Sequence, residues 1–421
     1  MRLVLWSLLA GGWMLGARAG AQANRNPMDS IGRLPSYRPA YDTVTLITPA
    51  RITKYAFVTR GAWTSYVERS REQYSRDTAA MHAELRAAHA AAMVRAPYTH
   101  DFSVKAYMTR AWFASDSGRR VMEAVLSFQA PNGGWSKHVD FTMHSRAPGE
   151  SYYAESADWE WISTIDNDAT TEEIRFLLLA DSAHHDERYA TAIRRGVDYL
   201  LAARYPNGCF PQVYPLQGSY HDAATFNDNA TVNVLRLLRG VAAGAYRYPT
   251  AFQRQRASQA VLSGTECILR TQVWAKGVPT AWGQQHDPLT LEPTSARSYE
   301  LTSLAALESA EIVDYLMSIP SPNEQVIRAV YGATDWLKAV PIRGYSYAHY
   351  ELKPSPNAPP LWGRLYEIGT NRVIMANRDG IKLYDWNRLT DRRSGYGWYT
   401  TKPAETLATF ATWSASHARP K

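Results

Sequence analysis

Two acids and an amide stand side by side at Asp166-Asn167-Asp168, followed by Ala169 and Thr170-Thr171-Glu172-Glu173. Such a turn offers only hard oxygen donors, the kind calcium takes. Thr170 three residues ahead of Glu173 has the form of a capping box. Ile174, Leu177 and Leu178 follow at helical spacing, so the acids are expected on a loop that feeds a helix start. A helix start welcomes negative charge by itself, and one such turn would signify only a well-capped helix. The pattern recurs, however, at Asn227-Asp228-Asn229-Ala230-Thr231, again ahead of a hydrophobic helix. A glycine loop precedes each copy, residues 130–137 around Asn132-Gly133-Gly134-Trp135 and residues 205–212 around Asn207-Gly208. Two turns facing one centre could share a divalent cation, with Asp166, Asp228 and Asn167 as candidate ligands.

Helices must carry these turns. Residues 117–128, 171–182, 187–204, 231–243, 250–271, 301–317 and 323–340 read as helices, with a third loop at Pro279-Thr280-Ala281-Trp282-Gly283. The unit of loop, polar turn and helix repeats. This predicts a mainly α fold, an (α/α) toroid-type barrel of three helix pairs with long irregular loops and a few short strands. Residues 344–401 are aromatic and turn-rich, and a last helix is expected near 404–414. Residues 66–93 form a polar, Ala-rich helical stretch that reads as structural cover. The expected division is a signal peptide at 1–23, an N-terminal arm and helical cover at 24–115, and one catalytic domain at 116–421.

Arg2, the apolar run Leu3 to Leu15 and Ala21-Gln22-Ala23 have the form of a secretory leader, which predicts a secreted or periplasmic protein. Its removal takes Arg2 and Arg18 and no acid, so the formal charge falls from +7 to +5. A basic exported chain suits an anionic partner. No Lys/Arg-rich run, zinc pattern or helix-turn-helix signature supports nucleic acid, and no later apolar stretch supports a membrane span. Cys209 and Cys267 are the only cysteines, and whether they pair is open at this stage. A monomer is expected.

Several stretches carry a resemblance. Ser127-Phe128-Gln129, Gly133-Gly134-Trp135-Ser136-Lys137, residues 165–170, Pro211-Gln212-Val213-Tyr214-Pro215 and residues 225–228 are among them. Others are residues 286–293, Tyr366-Glu367-Ile368-Gly369-Thr370-Asn371-Arg372, Arg378-Asp379-Gly380 and residues 392–399. In that order, from about Ser117 to Tyr399, the chain resembles the family 10 polysaccharide lyases, pectate lyases that cleave polygalacturonate by calcium-assisted β-elimination. It departs from the family at Cys209 and Phe210, where Gly and Trp are expected.

Uronate elimination removes the C5 proton beside a carboxylate and expels the sugar at C4. Cations on that carboxylate stabilise the developing charge, and arginine forks match it in shape. The resemblance implies Ca²⁺ as cofactor, Arg378 as the base, and Arg297, Arg364 and Arg393 as holders of substrate carboxylates. Lys137 joins them from its matched loop. Free guanidinium is protonated at neutral pH, so a basic Arg378 would need neighbouring cations to lower its proton affinity. Trp135 and Trp282 are candidates for stacking on sugar rings because both sit in repeated loops. His286 has no partner at metal-ligand spacing and reads as structural. Two other readings compete with the polygalacturonate lyase: a glycoside hydrolase using Asp166 and Asp228 as acid and base, and an inert pectin-binding protein.

Overall fold

The structure is a computed structural model that describes residues 46–100, 102–155 and 163–420. The expected leader and most of the arm lie outside the described residues. Eleven α-helices are present among them: α1 Pro49–Tyr55, α2 Arg60–Ala87, α3 Arg110–Ala114, α4 Asp116–Ser127, α5 Thr171–Ala183, α6 Glu187–Ala203, α7 Ala230–Ala242, α8 Ala251–Thr271, α9 Ala306–Met317, α10 Glu324–Ala339 and α11 Lys402–Trp413. The strands between them are short, most of them two residues long, so the protein is mainly helical. No helix among the described residues is long and apolar enough to cross a membrane.

The three expected pairs are present as α5 with α6, α7 with α8 and α9 with α10. Two more helices extend them: α4 packs on α5 and α6, and α11 on α9 and α10. The result is two rows, α4-α6-α8-α10 and α5-α7-α9-α11, each helix touching the next in its row. Amphipathic sequence explains the rows, since α6 buries Tyr189, Ile193, Val197 and Leu200 at i, i+4 spacing. The helix expected at 301–317 begins only at Ala306, because Leu304–Ala305 pair as a strand with Leu365–Tyr366.

The row-to-row passages share bonds, two of them through a tryptophan. The Trp135 indole donates to the Val125 carbonyl at 2.7 Å, and the Trp282 indole to that of Ile268 at the same distance. The Trp135 backbone N–H bonds the Thr170 hydroxyl at 2.9 Å, and that of Trp282 bonds Ser309 at 3.0 Å. Thr170 lies against the Thr164 carbonyl oxygen, and Thr231 likewise donates to Thr225. Thr170 therefore does not cap α5 with its side chain, contrary to the capping-box expectation. Only half of that box exists, the Glu173 carboxyl reaching back to the Thr170 N–H. Burial pushes the Glu173 acid up to about 8.

Phe210 takes the buried place that tryptophan holds in the neighbouring repeats, and Cys209 beside it forms a disulfide with Cys267 of α8. Closing a loop over 58 residues restricts the unfolded chain by about 4 kcal/mol in the loop-entropy account. The chain ahead of α4 shares the main core, since Trp63 and Tyr66 of α2 pack on Tyr205.

Candidate active site

The two polar turns come together in space. Their backbones match over residues 165–168 and 226–229, and the sequence register sets Ala169-Thr170 against Ala230-Thr231. That register makes Asp166 the mate of Asn227, both buried, and Asn167 the mate of Asp228. The second pair share a left-handed backbone, φ 49° at Asn167 and 47° at Asp228. Asp and Asn tolerate that conformation better than other residues with a side chain.

In the first turn Asp166 Oδ2 accepts from Lys137 Nζ at 2.7 Å, and Glu155 lies 3.9 Å from the same ammonium. Burial alone would raise the Asp166 acid, yet Lys137, with help from Gln212 and Arg297, holds it down at about 2. Its other oxygen, Oδ1, is buried and finds no hydrogen-bond partner among the described residues. Lys137, Tyr153, Glu155, Asp166, Tyr220, His221 and Arg297 line a cavity of about 100 Å³ together with Thr164 and Val213. Burial keeps His221 neutral, down at about 3.

In the second turn Arg364, 8% exposed, reaches Glu308 at 2.8 Å, Asp228 at 3.0 Å and Asn227 at 3.1 Å through one nitrogen. Gln284 also donates to Glu308, whose second oxygen is buried and has no partner among the described residues. Burial lowers the proton affinity of the Arg364 guanidinium, but Tyr396, Glu308 and Asp228 outweigh it and raise it.

An aromatic floor joins the two turns. Arg364 lies 4.7 Å above the Tyr396 ring, with Arg297 at 6.0 Å and Arg392 at 5.8 Å from the same centroid. Arg297 and Arg392 also cover Tyr299, at 4.9 and 4.4 Å. Arg297 is held by both oxygens of Glu300, at 2.8 and 2.5 Å. Burial raises the Tyr299 phenol, while Arg297, Arg392 and Arg378 act in the opposite sense, which puts Arg378 in the same electric field. The Arg378 side chain is exposed and donates to the Asp391 carbonyl at 3.1 Å.

Lys137, Asp166 and Arg297 therefore meet around one cavity and Asp228 and Arg364 meet at the adjoining turn, while Arg378 is exposed and bonded to Asp391. Arg393 lies over Trp386 at 4.8 Å, while its neighbour Arg392 covers the rings of the site. Asn167 is exposed. Trp135 and Trp282, expected to offer faces to sugar, are correctly described as core residues, both 0% exposed. Repetition of their loops reflects packing between the rows. His286 is buried, with Nε2 accepting from the Gly283 N–H and Nδ1 facing the Leu291 carbonyl, a structural histidine that burial holds at about 4. Sequence reasoning missed Arg392, Glu300, Glu308 and Tyr396. The run Arg392-Arg393 was legible, but which of the two points inward depends on a local turn.

Calcium finds partial support in this donor set. Asp166 and Asp228 supply charge, Asn167 supplies a neutral oxygen while that of Asn227 is taken by Arg364 and Gln284, and among the described residues Asp166 keeps one buried oxygen unspent. Among the described residues no three His, Cys, Asp or Glu side chains stand together as a metal-holding group. The oxygens fit a hard cation in kind, and a full shell of six to eight would need others from substrate and water.

Residues 129–407 match the family described as pectic acid lyase. Two solved structures of the family 10 polysaccharide lyase from Cellvibrio cellulosa are similar at 31% identity and a TM-score of 0.64. One is a mutant in complex with trigalaturonic acid and covers 72% of this chain and 96% of its own, and the other covers 74% and 98%. No curated protein matches. With the family match running through both turns, the arginine cluster and most of the helices, the chain belongs to the pectic acid lyase family and is a family 10 polysaccharide lyase.

Proposed function

We propose that this pectate lyase cleaves α-1,4-linked polygalacturonate by β-elimination across the two polar turns, with Arg378 as the group that accepts the C5 proton. The observation that carries this reading is the set of arginines 297, 364 and 392 resting on Tyr299 and Tyr396 beside the Lys137–Asp166 pair. Planar guanidinium groups in a partly desolvated cleft are suited to sugar carboxylates, and here they are held by Glu300, Glu308 and the tyrosine faces before substrate arrives. Preorganised cations stabilise charge that develops on the carboxylate as the C5–H bond breaks. The electron pair left on C5 forms the C4–C5 double bond, the C4–O bond breaks, and the leaving oxygen takes up a proton.

Calcium is part of the proposal, and Asp166 and Asp228 with the amide oxygen of Asn167 would hold it. Bound there, it would neutralise the substrate carboxylate as a Lewis acid. Arg378 lies outside the buried set, on a turn fixed by its backbone N–H to Asp391, and its exposed fork, held at one nitrogen by the Asp391 carbonyl, would meet a sugar that the buried arginines have oriented. The relative bound to trigalaturonic acid supports this substrate class. Two rows of alternating helices support the (α/α) toroid reading, and the family supports export.

The test is the product. Incubation with polygalacturonate should give 4,5-unsaturated ends that absorb in the ultraviolet, and chelator should remove that activity until calcium is restored. Reducing ends without new absorbance would mean hydrolysis and would overturn the proposal.

A further inference from the structure

Asp77 sits midway along α2, a helix outside the residues matched to the family, and is 1% exposed. The other buried side chains of α2 are Trp63, Tyr66, Val67 and Ser70, and a carboxylate buried among them calls for a partner. Asp77 Oδ1 accepts from Gln73 Nε2 at 2.8 Å, and Oδ2 accepts from Asn132 Nδ2 at 3.2 Å. Asn132 opens the first glycine loop, and its own carbonyl oxygen accepts from the Gly134 N–H at 3.1 Å and the Ser163 hydroxyl at 2.7 Å. Both ends of that staple lead into the site. Trp135 follows Gly134, bonds Thr164 through its carbonyl, and stands two residues before Lys137. Thr164 follows Ser163, and its hydroxyl accepts from the Asp166 N–H at 3.0 Å.

We infer that Asp77 is a positioning residue for the reaction: through Asn132 it fixes the spacing between the loop that carries Lys137 and the turn that carries Asp166. The inference rests on the reading of Lys137 and Asp166 as site residues. An amide such as Asn132 has two polar ends, and Asp77 selects which end faces Ser163 and Gly134. With an acceptor on α2, the Asn132 carbonyl must point into the loop. Without it, the amide can turn over and present its NH₂ to the Gly134 N–H, opening the staple. The groups around Asp77 are Gln73 and Arg76 on its own helix, Asn132, and the phenols of Tyr152, Tyr199 and Tyr214. Burial, the largest influence, raises the Asp77 acid to about 6, against the hydrogen bonds of Gln73 and Asn132 and the charge of Arg76.

A raised acid means the folded protein holds the proton more tightly than the unfolded chain. The stability it contributes is present at low pH and lost as pH rises through about 6. At pH 8 the ionised group is therefore a burden on stability, and Asp77→Asn should melt no lower than the parent. Its kcat/KM should nevertheless fall about tenfold at pH 8, since small misplacements of catalytic groups cost that much or more. The ratio between parent and variant should shrink toward one below about pH 6, where Asp77 carries its own proton. Asn132→Asp alone should also lose activity, by setting two carboxylates face to face. The double exchange Asp77→Asn with Asn132→Asp restores a donor–acceptor match and should recover most of the rate.

Unsaturated-product rates from pH 5 to 9, with melting curves on the same samples, decide the matter. Parent-like kcat/KM for Asp77→Asn at pH 8, or a loss that follows only the folded fraction, would overturn the positioning role. If the parent produced no unsaturated ends, the lyase reading itself would fall. Hydrogen exchange at the Gly134 amide then tests the staple separately: faster exchange in Asp77→Asn supports it, and unchanged exchange rules it out.

Discussion

The two polar turns share a backbone and differ in chemistry. Residues 165–168 and 226–229 follow the same path, including a left-handed residue at the same step, Asn167 in one and Asp228 in the other, and part afterwards, where Thr170 has φ 65° and Thr231 is already helical. In the first turn the buried position is an acid, answered by Lys137 from the preceding loop. In the second it is the amide Asn227, the acid has moved one residue outward, and the answering cation is Arg364 from far along the chain. Repetition of the scaffold thus preserved where side chains point, while substitution set the charge at each point. Two copies of one turn can then grip a repeating polyanion at two places without being interchangeable.

The largest expected effect lies on the cation that neither turn holds. Arg378→Lys keeps a positive charge but loses the fork. If Arg378 takes the C5 proton, kcat should drop by about 10²- to 10³-fold, in the range of a lost acid–base group, with little change in KM. Arg297→Lys or Arg364→Lys should instead raise KM more than they lower kcat, because these residues grip substrate in both ground and transition states. Near-normal kcat for Arg378→Lys at saturating substrate would move the proton acceptor elsewhere.

Asp166→Asn makes the first turn resemble the second, and so tests whether their difference matters. It leaves Lys137 with Glu155 as its nearest acid and should cut turnover by roughly 10²-fold. Asp228→Asn should cost about tenfold and be partly restored by excess calcium, in line with ordinary losses around metal sites. The first substitution should also flatten the acid limb of stability. With its folded acid held near 2, Asp166 contributes stability above the unfolded value of 3.8 that is lost as pH falls toward 2. Equal losses for the two variants would mean that the turns are functionally equivalent.

The smallest effect belongs to the scaffold. Trp135→Phe copies the second repeat, where Phe210 fills the same place, and removes the indole bond to Val125. A loss of about 1 kcal/mol in stability is expected from one hydrogen bond, with turnover per folded molecule unchanged. A clear drop in turnover would return Trp135 to the site.

Helices were the readable part of the fold, because apolar residues at i, i+3 and i+4 in stretches such as 187–203 leave one interpretation. The two-residue strands were not readable, since they are made by distant partners such as Leu365 and Ala305 rather than by local pattern. Motif position named Lys137, Asp166 and Arg297, which line one cavity, Asp228 and Arg364, which meet at the adjoining turn, and Arg378, which is exposed. It failed where a single residue of register decides the outcome. Arg392 rather than Arg393 covers the tyrosines, and Asn227 rather than Asp228 is the mate of Asp166. Glu300 and Glu308 had no signal apart from being acids near helix starts. Tryptophan in a repeated loop was ambiguous, because a repeat conserves its packing as faithfully as its chemistry, and burial decided for packing.

The link between Cys209 and Cys267 bears on where the chain can be made. Both sulfurs lie in the interior, at 1% exposure, so oxidation belongs to assembly of the fold and not to later weathering of its surface. A reducing cytoplasm keeps such thiols apart, whereas the periplasm and the exterior join them. The second glycine loop is anchored to α8 by that bond and leads directly into the turn that Arg364 grips. A host that cannot oxidise the two thiols would deliver the second turn without its tether.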